Sequence, residues 1–395
     1  MNRTAADFIY TGLSDEPIQN GFVEYTEEGT VTAIGECQDL ASETDFRPGA
    51  IMPGFVNSHC HLELSHLRGK FTKGSGMSGF IDQINELRDF TTVENKKAEA
   101  ARWMDILWKQ GVSAMADISN CDDTFALKSR SPLYTRTFLE VFGTEPQDCG
   151  SVIDGVRNLS EEAASFGIDA APTPHACYTM SPELVTAASA EGLAAGYLSY
   201  HSEESREEED LLISGTGALA DNYHGRHLST PPVTGKPSLM YFVDRLLKVH
   251  EPPFDEHILL VHNVCLTQEA LDYALGYLKN VWWTVCPLSN IFIHNALPPI
   301  PLMRKNGLRI TVGTDSLSSN DTLDMVKEMY CLQEAFPDVP VGEIVRWASY
   351  NGAEFLSKTD RLGSIEPGKT PGLVWVKNLD ADARLTSASA SERII

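Results

Sequence analysis

The sequence predicts an α/β protein: a closed (β/α)8 barrel with a small β-sandwich built from both termini. Three observations point there. Eight short apolar runs recur from about residue 50 onward. Segments with helical patterning or long connections separate them. Polar, chemically capable residues follow the runs, at the strand ends where a barrel of this type collects its function. An open doubly wound sheet would bring a glycine-rich dinucleotide loop after its first strand, and the sequence has none.

The terminal pieces come first. Residues 1–49 hold short β-like runs at 21–25 and 30–34. Residues 362–395 include Gly372-Leu-Val-Trp-Val376. Both ends are read as one composite β-domain flanking a barrel of residues 50–361. The eight barrel strands are expected at 50–56, 112–116, 134–141, 169–172, 196–200, 258–261, 281–285 and 308–313. Several are continuous apolar runs, as suits strands buried on both faces. A helix over 94–110 is expected to stop at Gly111. Ser181-Pro182-Glu183 reads as a helix start, with an N-cap serine, a first-turn proline and an acid near the positive helix end. After Thr267, the spacing of Leu271, Ala274, Leu275 and Leu278 marks one buried helix face. Residues 62–93 and 205–256 form long excursions, read as lids or specificity loops, or else as packing or oligomer elements.

Composition narrows the function. The chain has 395 residues and a formal net charge of −24, which repels phosphate backbones and anionic membranes. No nucleic-acid or membrane partner is expected, and a small-molecule substrate is. No apolar run approaches a membrane span, and the first residues lack a secretion-signal pattern, so a cytoplasmic location is the default. Eight scattered cysteines without a Cys-x-x-Cys pair suggest reduced thiols.

The chemistry begins at Pro53-Gly-Phe-Val-Asn-Ser-His59-Cys60-His61. On an extended strand residues i and i+2 share a face, so His59 and His61 can reach one metal ion while Cys60 turns away. Imidazole suits zinc, iron, copper or nickel. His201 ends the fifth strand and is a third ligand candidate. Glu204 can reach back over the same site. Glu203 and Glu207–Glu209 read as a solvated acidic helix face. Asp315, just past the eighth strand, is poorly solvated unless paired with a metal or cation, and makes a fourth ligand. His262 and His175 end the sixth and fourth strands on the same rim. Glu63 has two readings, a contact to a substrate ring nitrogen or amine, or a structural ion pair. His66 and His294 read as structural.

With these residues in place, the chain resembles the amidohydrolase superfamily, in its cytosine-deaminase-like and triazine-hydrolase-like branch. The motifs are Pro53 to His61, Pro174-His175-Ala, His201-Ser-Glu-Glu204, Val261-His262-Asn, Cys286-Pro-Leu-Ser-Asn290, Gly313-Thr-Asp315-Ser and Gly363-Ser-Ile-Glu-Pro-Gly-Lys369. The resemblance implies one divalent metal, zinc by default and iron as the alternative, held by His59, His61, His201 and Asp315. It implies Glu204 as proton shuttle, His262 acting with Asp315 on the hydrolytic water, and His175 at the substrate. Binuclear relatives carry a carboxylated lysine at the fourth strand end, where this chain has His175. Some members have arginine where this chain has Leu288, which would alter substrate anchoring. The activity implied is deamination of an aminated heterocycle, most similar to that of deaminases for aminodeoxyfutalosine and S-adenosylhomocysteine. Guanine deamination, triazine dechlorination or a scaffold without catalysis are the alternatives.

Overall fold

The computed structural model describes residues 1–40 and 43–395. Fourteen strands fall into three sheets among the described residues. Six belong to the terminal sheet: β1 (Asn2–Ile9), β2 (Ile18–Tyr25), β3 (Val31–Glu36), β4 (Phe46–Pro53), β13 (Leu373–Lys377) and β14 (Ala390–Arg393). Their order is β14-β13-β4-β1-β2-β3, with β1 and β4 parallel and the other pairs antiparallel. The two layers expected of a sandwich are one sheet here.

The barrel strands form two parallel sheets of four. The first holds β5 (Phe55–Cys60), β6 (Val112–Ser119), β7 (Tyr134–Val141) and β8 (Asp169–Pro174). The second holds β9 (Tyr197–Ser202), β10 (His257–His262), β11 (Val281–Val285) and β12 (Ile310–Val312). Two seams join them into the (β/α)8 barrel. Isolated parallel bridges link Cys60 with Asp315 and Ala176 with His201. At the first seam the amides of Thr314 and Asp315 donate to His59 O at 3.0 and 2.9 Å. At the second, the His201 amide donates to His175 O at 2.9 Å. Both seams thus close on candidate site residues.

One expected strand divides in two. The apolar run 50–56 spans the end of β4 and the start of β5, because the chain changes sheets at Gly54. A Cβ at Gly54 would meet Ser113 Oγ at 2.0 Å and Pro371 O at 2.4 Å, so only glycine fits this corner. The expected helices form as Val93–Lys109, Pro182–Ala194 and Gln268–Tyr277. Ser181 and Thr267 cap the latter two, accepting from Leu184 N and Ala270 N at 3.2 Å each. Gly111, with φ of +97°, ends the first.

The two excursions are largely helical. Residues 62–93 hold a 3-10 turn, Leu62–Leu67, and the helix Gly76–Leu87. Residues 205–256 hold Arg206–Ser214, Ala218–Gly225 and Ser238–Leu246. No helix among the described residues is long and apolar enough to cross a membrane.

Candidate metal centre and active site

His59 ends a strand buried on both faces, and its ring has no solvent exposure. Burial first, then the neighbouring His61, pushes its pKa well below the ordinary imidazole range. A neutral ring keeps a lone pair for a metal. His61 Nε2 lies 3.1 Å from His59 Nε2. Asp315 Oδ1 is 3.5 Å from the first nitrogen and 3.8 Å from the second. Two imidazole nitrogens sharing an ion at about 2.0–2.1 Å require such a spacing. His59, His61 and Asp315 form one group whose ligand atoms all lie within 4.8 Å, and His59, His201 and His262 form another.

The surroundings orient these donors. His201 Nδ1 donates to His175 O at 3.2 Å, which leaves Nε2 free to ligate. Burial, then the stacked His175 ring, holds the His201 pKa well down. Ser289 and Ser319 hydroxyls donate to Asp315 Oδ2 at 2.6 and 2.8 Å, turning Oδ1 toward the histidines. Burial alone would raise the Asp315 pKa. The imidazoles of His61, His262 and His59, helped by the Ser289 hydroxyl, outweigh it and hold the carboxyl low. The donor set is the imidazoles of His59 and His61 at the end of β5, a third across the barrel, and a carboxylate held low, which fits a zinc-like cation.

Glu204 sits opposite. Tyr178 donates its hydroxyl to Glu204 Oε2 at 2.6 Å, and His262 Nε2 lies 3.4 Å from Oε1. Burial pushes the Glu204 pKa well up, despite the opposing Tyr178 hydrogen bond. Burial also drives His262 down to about 4. Asn290 Nδ2 bonds His262 Nδ1 at 3.0 Å, an arrangement that puts the ring proton on Nε2. His175 Nδ1 bonds Thr179 Oγ1 at 2.7 Å, and the ring lines the cavity.

The cavity has a volume of about 520 Å³ and is lined by His61, His175, His201, Glu204, His262 and Asp315 among others. Apolar side chains of Met77, Phe80, Ile81 and Ile84, from the helix Gly76–Leu87, form one wall. Glu63 is absent from the lining. It is 4% exposed, and its oxygens accept from Arg88 Nη2 at 3.0 Å and Asn120 N at 2.9 Å. Glu63 is thus ion-paired with Arg88, and Arg88 lines the cavity.

The acidic run is also not solvated. Glu203, Glu208 and Glu209 are buried. Glu207 accepts from the amides of Met77 and Ser78, both at 2.9 Å, and so docks the start of the cavity helix. Their backbone caps and layers are tertiary facts that an acidic string does not announce. Leu288 lines a different cavity from the metal cluster. Cys60 is buried in the core, facing away from the ligands as alternation requires. Sequence reasoning missed Tyr178, Ser289, Asn290 and Ser319. Ser289 and Asn290 lie inside a quoted motif and Tyr178 two residues beyond another, and all carry side chains able to hydrogen-bond, which was the available signal.

Comparisons place this geometry among known proteins. Residues 50–392 match the family described as Amidohydrolase family. An adenosine deaminase from Helicobacter pylori is 26% identical over 356 residues, covering 87% of this chain and 84% of its own. A 5-methylthioadenosine/S-adenosylhomocysteine deaminase from Syntrophomonas wolfei is 27% identical, covering 80% of this chain and 70% of its own. The crystal structure of Helicobacter pylori aminofutalosine deaminase in complex with methylthio-coformycin superposes with a TM-score of 0.78 at 22% identity, covering 98% and 94%.

Proposed function

Because this chain belongs to the amidohydrolase family, we propose that it deaminates an aminated heterocycle, an adenosine-type nucleoside derivative of the aminodeoxyfutalosine or S-adenosylhomocysteine class. The relatives' activities support that substrate class. His59, His61, His201 and Asp315 would hold one divalent ion, with zinc favoured over iron by the nitrogen-rich donor set. Zinc also accompanies a solved relative, an adenosine deaminase from Xanthomonas campestris. When bound, such an ion supplies hydroxide at neutral pH by lowering the pKa of water from about 16 to about 7.

The chain's own residues do the rest. His262, protonated at Nε2, donates a hydrogen bond toward the attacking oxygen rather than removing its proton. Asp315, held ionised, accepts a proton from that oxygen through the face not used by Ser289 and Ser319. Glu204 enters the reaction protonated and gives its proton to a ring nitrogen as charge develops there, a contribution of roughly 100- to 10,000-fold. Its emptied carboxylate then takes the proton that Asp315 removed from the attacking oxygen and passes it to the departing amine, which leaves as ammonia, and the next water to enter restores the Glu204 proton. His175, on the cavity wall beside His201, contacts the substrate ring.

One observation carries the choice of leaving group. Glu204 is buried 3.4 Å from His262 Nε2 with Tyr178 on its other oxygen, and burial favours its protonated form. Ammonia needs a proton to leave, whereas chloride leaves as an anion without one. That asymmetry favours deamination over the triazine dechlorination of the solved Arthrobacter aurescens atrazine chlorohydrolase, whose fold is shared at a TM-score of 0.70. The cytoplasm, where eight unpaired cysteines stay reduced, is the compartment we assign.

The test is ammonia release by protein of defined metal content from adenosine, S-adenosylhomocysteine, aminodeoxyfutalosine, guanine and cytosine, beside Glu204→Gln. Release from an aminopurine nucleoside that the variant abolishes supports the reading. Release from guanine or cytosine alone moves the substrate class. No release from any, with metal bound, overturns deamination.

A further inference from the structure

We infer that Arg88 is a specificity-determining residue, that Glu63 is its positioning residue, and that together they read an oxygen acceptor on the part of the substrate remote from its amine. This rests on the deaminase reading above. Arg88 follows the helix Gly76–Leu87 and continues its cavity-facing row. Met77, Ile81, Ile84 and Arg88 recur at helical spacing, and all four line the cavity. An apolar track of about 16 Å therefore terminates in a guanidinium. Among the described lining residues, Arg88 is the one lysine or arginine, and the rest of the cavity's charge is carboxylate or imidazole.

The guanidinium is fixed from behind. Nη2 donates to Glu63 Oε1 at 3.0 Å and to Asn120 Oδ1 at 2.8 Å. Glu63 is fixed in turn by the Asn120 amide at 2.9 Å and the Cys121 thiol at 3.3 Å. The carbonyl of Arg88 is held by His66 Nε2 at 2.9 Å. Both Nη2 hydrogens are thereby used. Nε and Nη1 have no hydrogen-bond partner among the described residues, and the side chain is 26% exposed. An arginine anchored on one nitrogen, with three N–H groups left over in a half-desolvated cavity, is arranged to meet an acceptor. Glu63 does not touch the cavity and can act only through Arg88.

The acceptor is either the carboxylate of an amino-acid end or the 5′-hydroxyl, and paired ligands separate the two. S-adenosylhomocysteine is compared with methylthioadenosine, and adenosine with 5′-deoxyadenosine. Each is measured for kcat/KM with the zinc-loaded protein. Binding of the same four is measured by calorimetry to the Glu204→Gln protein, which does not depend on turnover. In Arg88→Met the preference for the oxygen-bearing member of one pair falls about tenfold or more. The first pair moves if a carboxylate is read, the second if a hydroxyl is. Glu63→Gln shifts the same ratio in the same direction through KM rather than kcat. Arg88→Lys restores part of it.

A uniform loss across all four ligands, or unchanged ratios in both pairs, overturns the inference. Binding of none of the four overturns it as well. Turnover by the unmodified protein with unchanged ratios leaves the deaminase reading standing and removes Arg88 from it. Altered binding ratios without turnover do the reverse.

Discussion

The two halves of the barrel bury charge differently. From β5 to β8, Asp117 and Glu63 are buried beside cations, while the buried Glu140 has Asn120 and His201 beside it instead. Asp117 Oδ2 lies 2.6 Å from Lys128 Nζ, with both side chains at most 1% exposed. Glu63 pairs with Arg88 at 3.0 Å, and Asp169 with Arg136 at 2.7 Å. From β9 onward, Glu203, Glu204, Glu208, Glu209 and Glu328 are all buried. Among the described residues none of these five forms an ion pair with lysine or arginine. Glu208 instead accepts the Glu204 amide at 2.7 Å, Glu209 accepts the Ser238 hydroxyl at 2.6 Å, and Glu328 accepts the Leu288 amide at 3.0 Å. Burial is the first cause that raises the pKa of all five. In the first half a cation opposes burial, as Arg88 does at Glu63, and the pairs act as staples. In the second, burial favours the protonated acids with no lysine or arginine paired against it, and this half carries the acid proposed for catalysis.

The comparison can be broken most severely at Glu204. Glu204→Gln should cut kcat by about 100- to 10,000-fold while metal content, read by elemental analysis, stays constant. Loss of metal with activity would instead place Glu204 among the ligands. On the stapled side, Lys128→Met should cost about 3–5 kcal/mol in urea unfolding, because it strands Asp117. Adding Asp117→Asn should recover much of that. A single-variant cost below about 1 kcal/mol would show that the pair is not what steadies this half.

Metal removal sharpens the contrast differently, because both halves supply proposed ligands across the seams. Chelation should lower Tm, with a loss of about 2.7 kcal/mol when free metal had stood at 100 times its Kd. An unchanged Tm would mean that the seams hold without the ion. The smallest effect concerns Glu208, whose folded pKa lies above the ordinary value of about 4.3. The protonated form is the one favoured in the fold, so its stabilisation is complete below about pH 4.3 and fades as pH rises through the raised value. The slope reaches about 1.4 kcal/mol per pH unit for one proton. Glu208→Gln should flatten unfolding free energy between acid and alkaline buffers. A profile identical to the parent would remove Glu208 from the proton-holding set.

The four proposed ligands were legible in the sequence because each stands at the end of an apolar run. His59, His61, His201 and Asp315 can be placed from local alternation and strand ends alone. What surrounds them depends on contacts far apart in the chain. Asn57 Nδ2 reaches Thr314 Oγ1 at 2.7 Å, and Arg88 meets Asn120 at 2.8 Å. The change of sheet at Gly54 was hidden for the same reason. The run through it is apolar on both sides, and only Ser113 and Pro371 reveal why the chain must turn there. The acidic stretch after His201 misled because charge in sequence suggests solvent, while Ser238 and the Glu204 amide cover it only after folding.

The change of sheet at Gly54 also sets the order in which the molecule can be made. β4, which leads directly into the histidine-bearing strand, has β1 on one side and β13 on the other. Its second edge, where Pro53 pairs with Leu373, stays open until residues past 370 leave the ribosome. Through most of synthesis a nearly fully apolar strand therefore presents unpaired amides and carbonyls to its surroundings. Such late, distant pairing predicts slow final assembly and dependence on chaperones during translation. A nascent chain stalled before β13 would be the aggregation-prone species, even with every proposed metal ligand already synthesised.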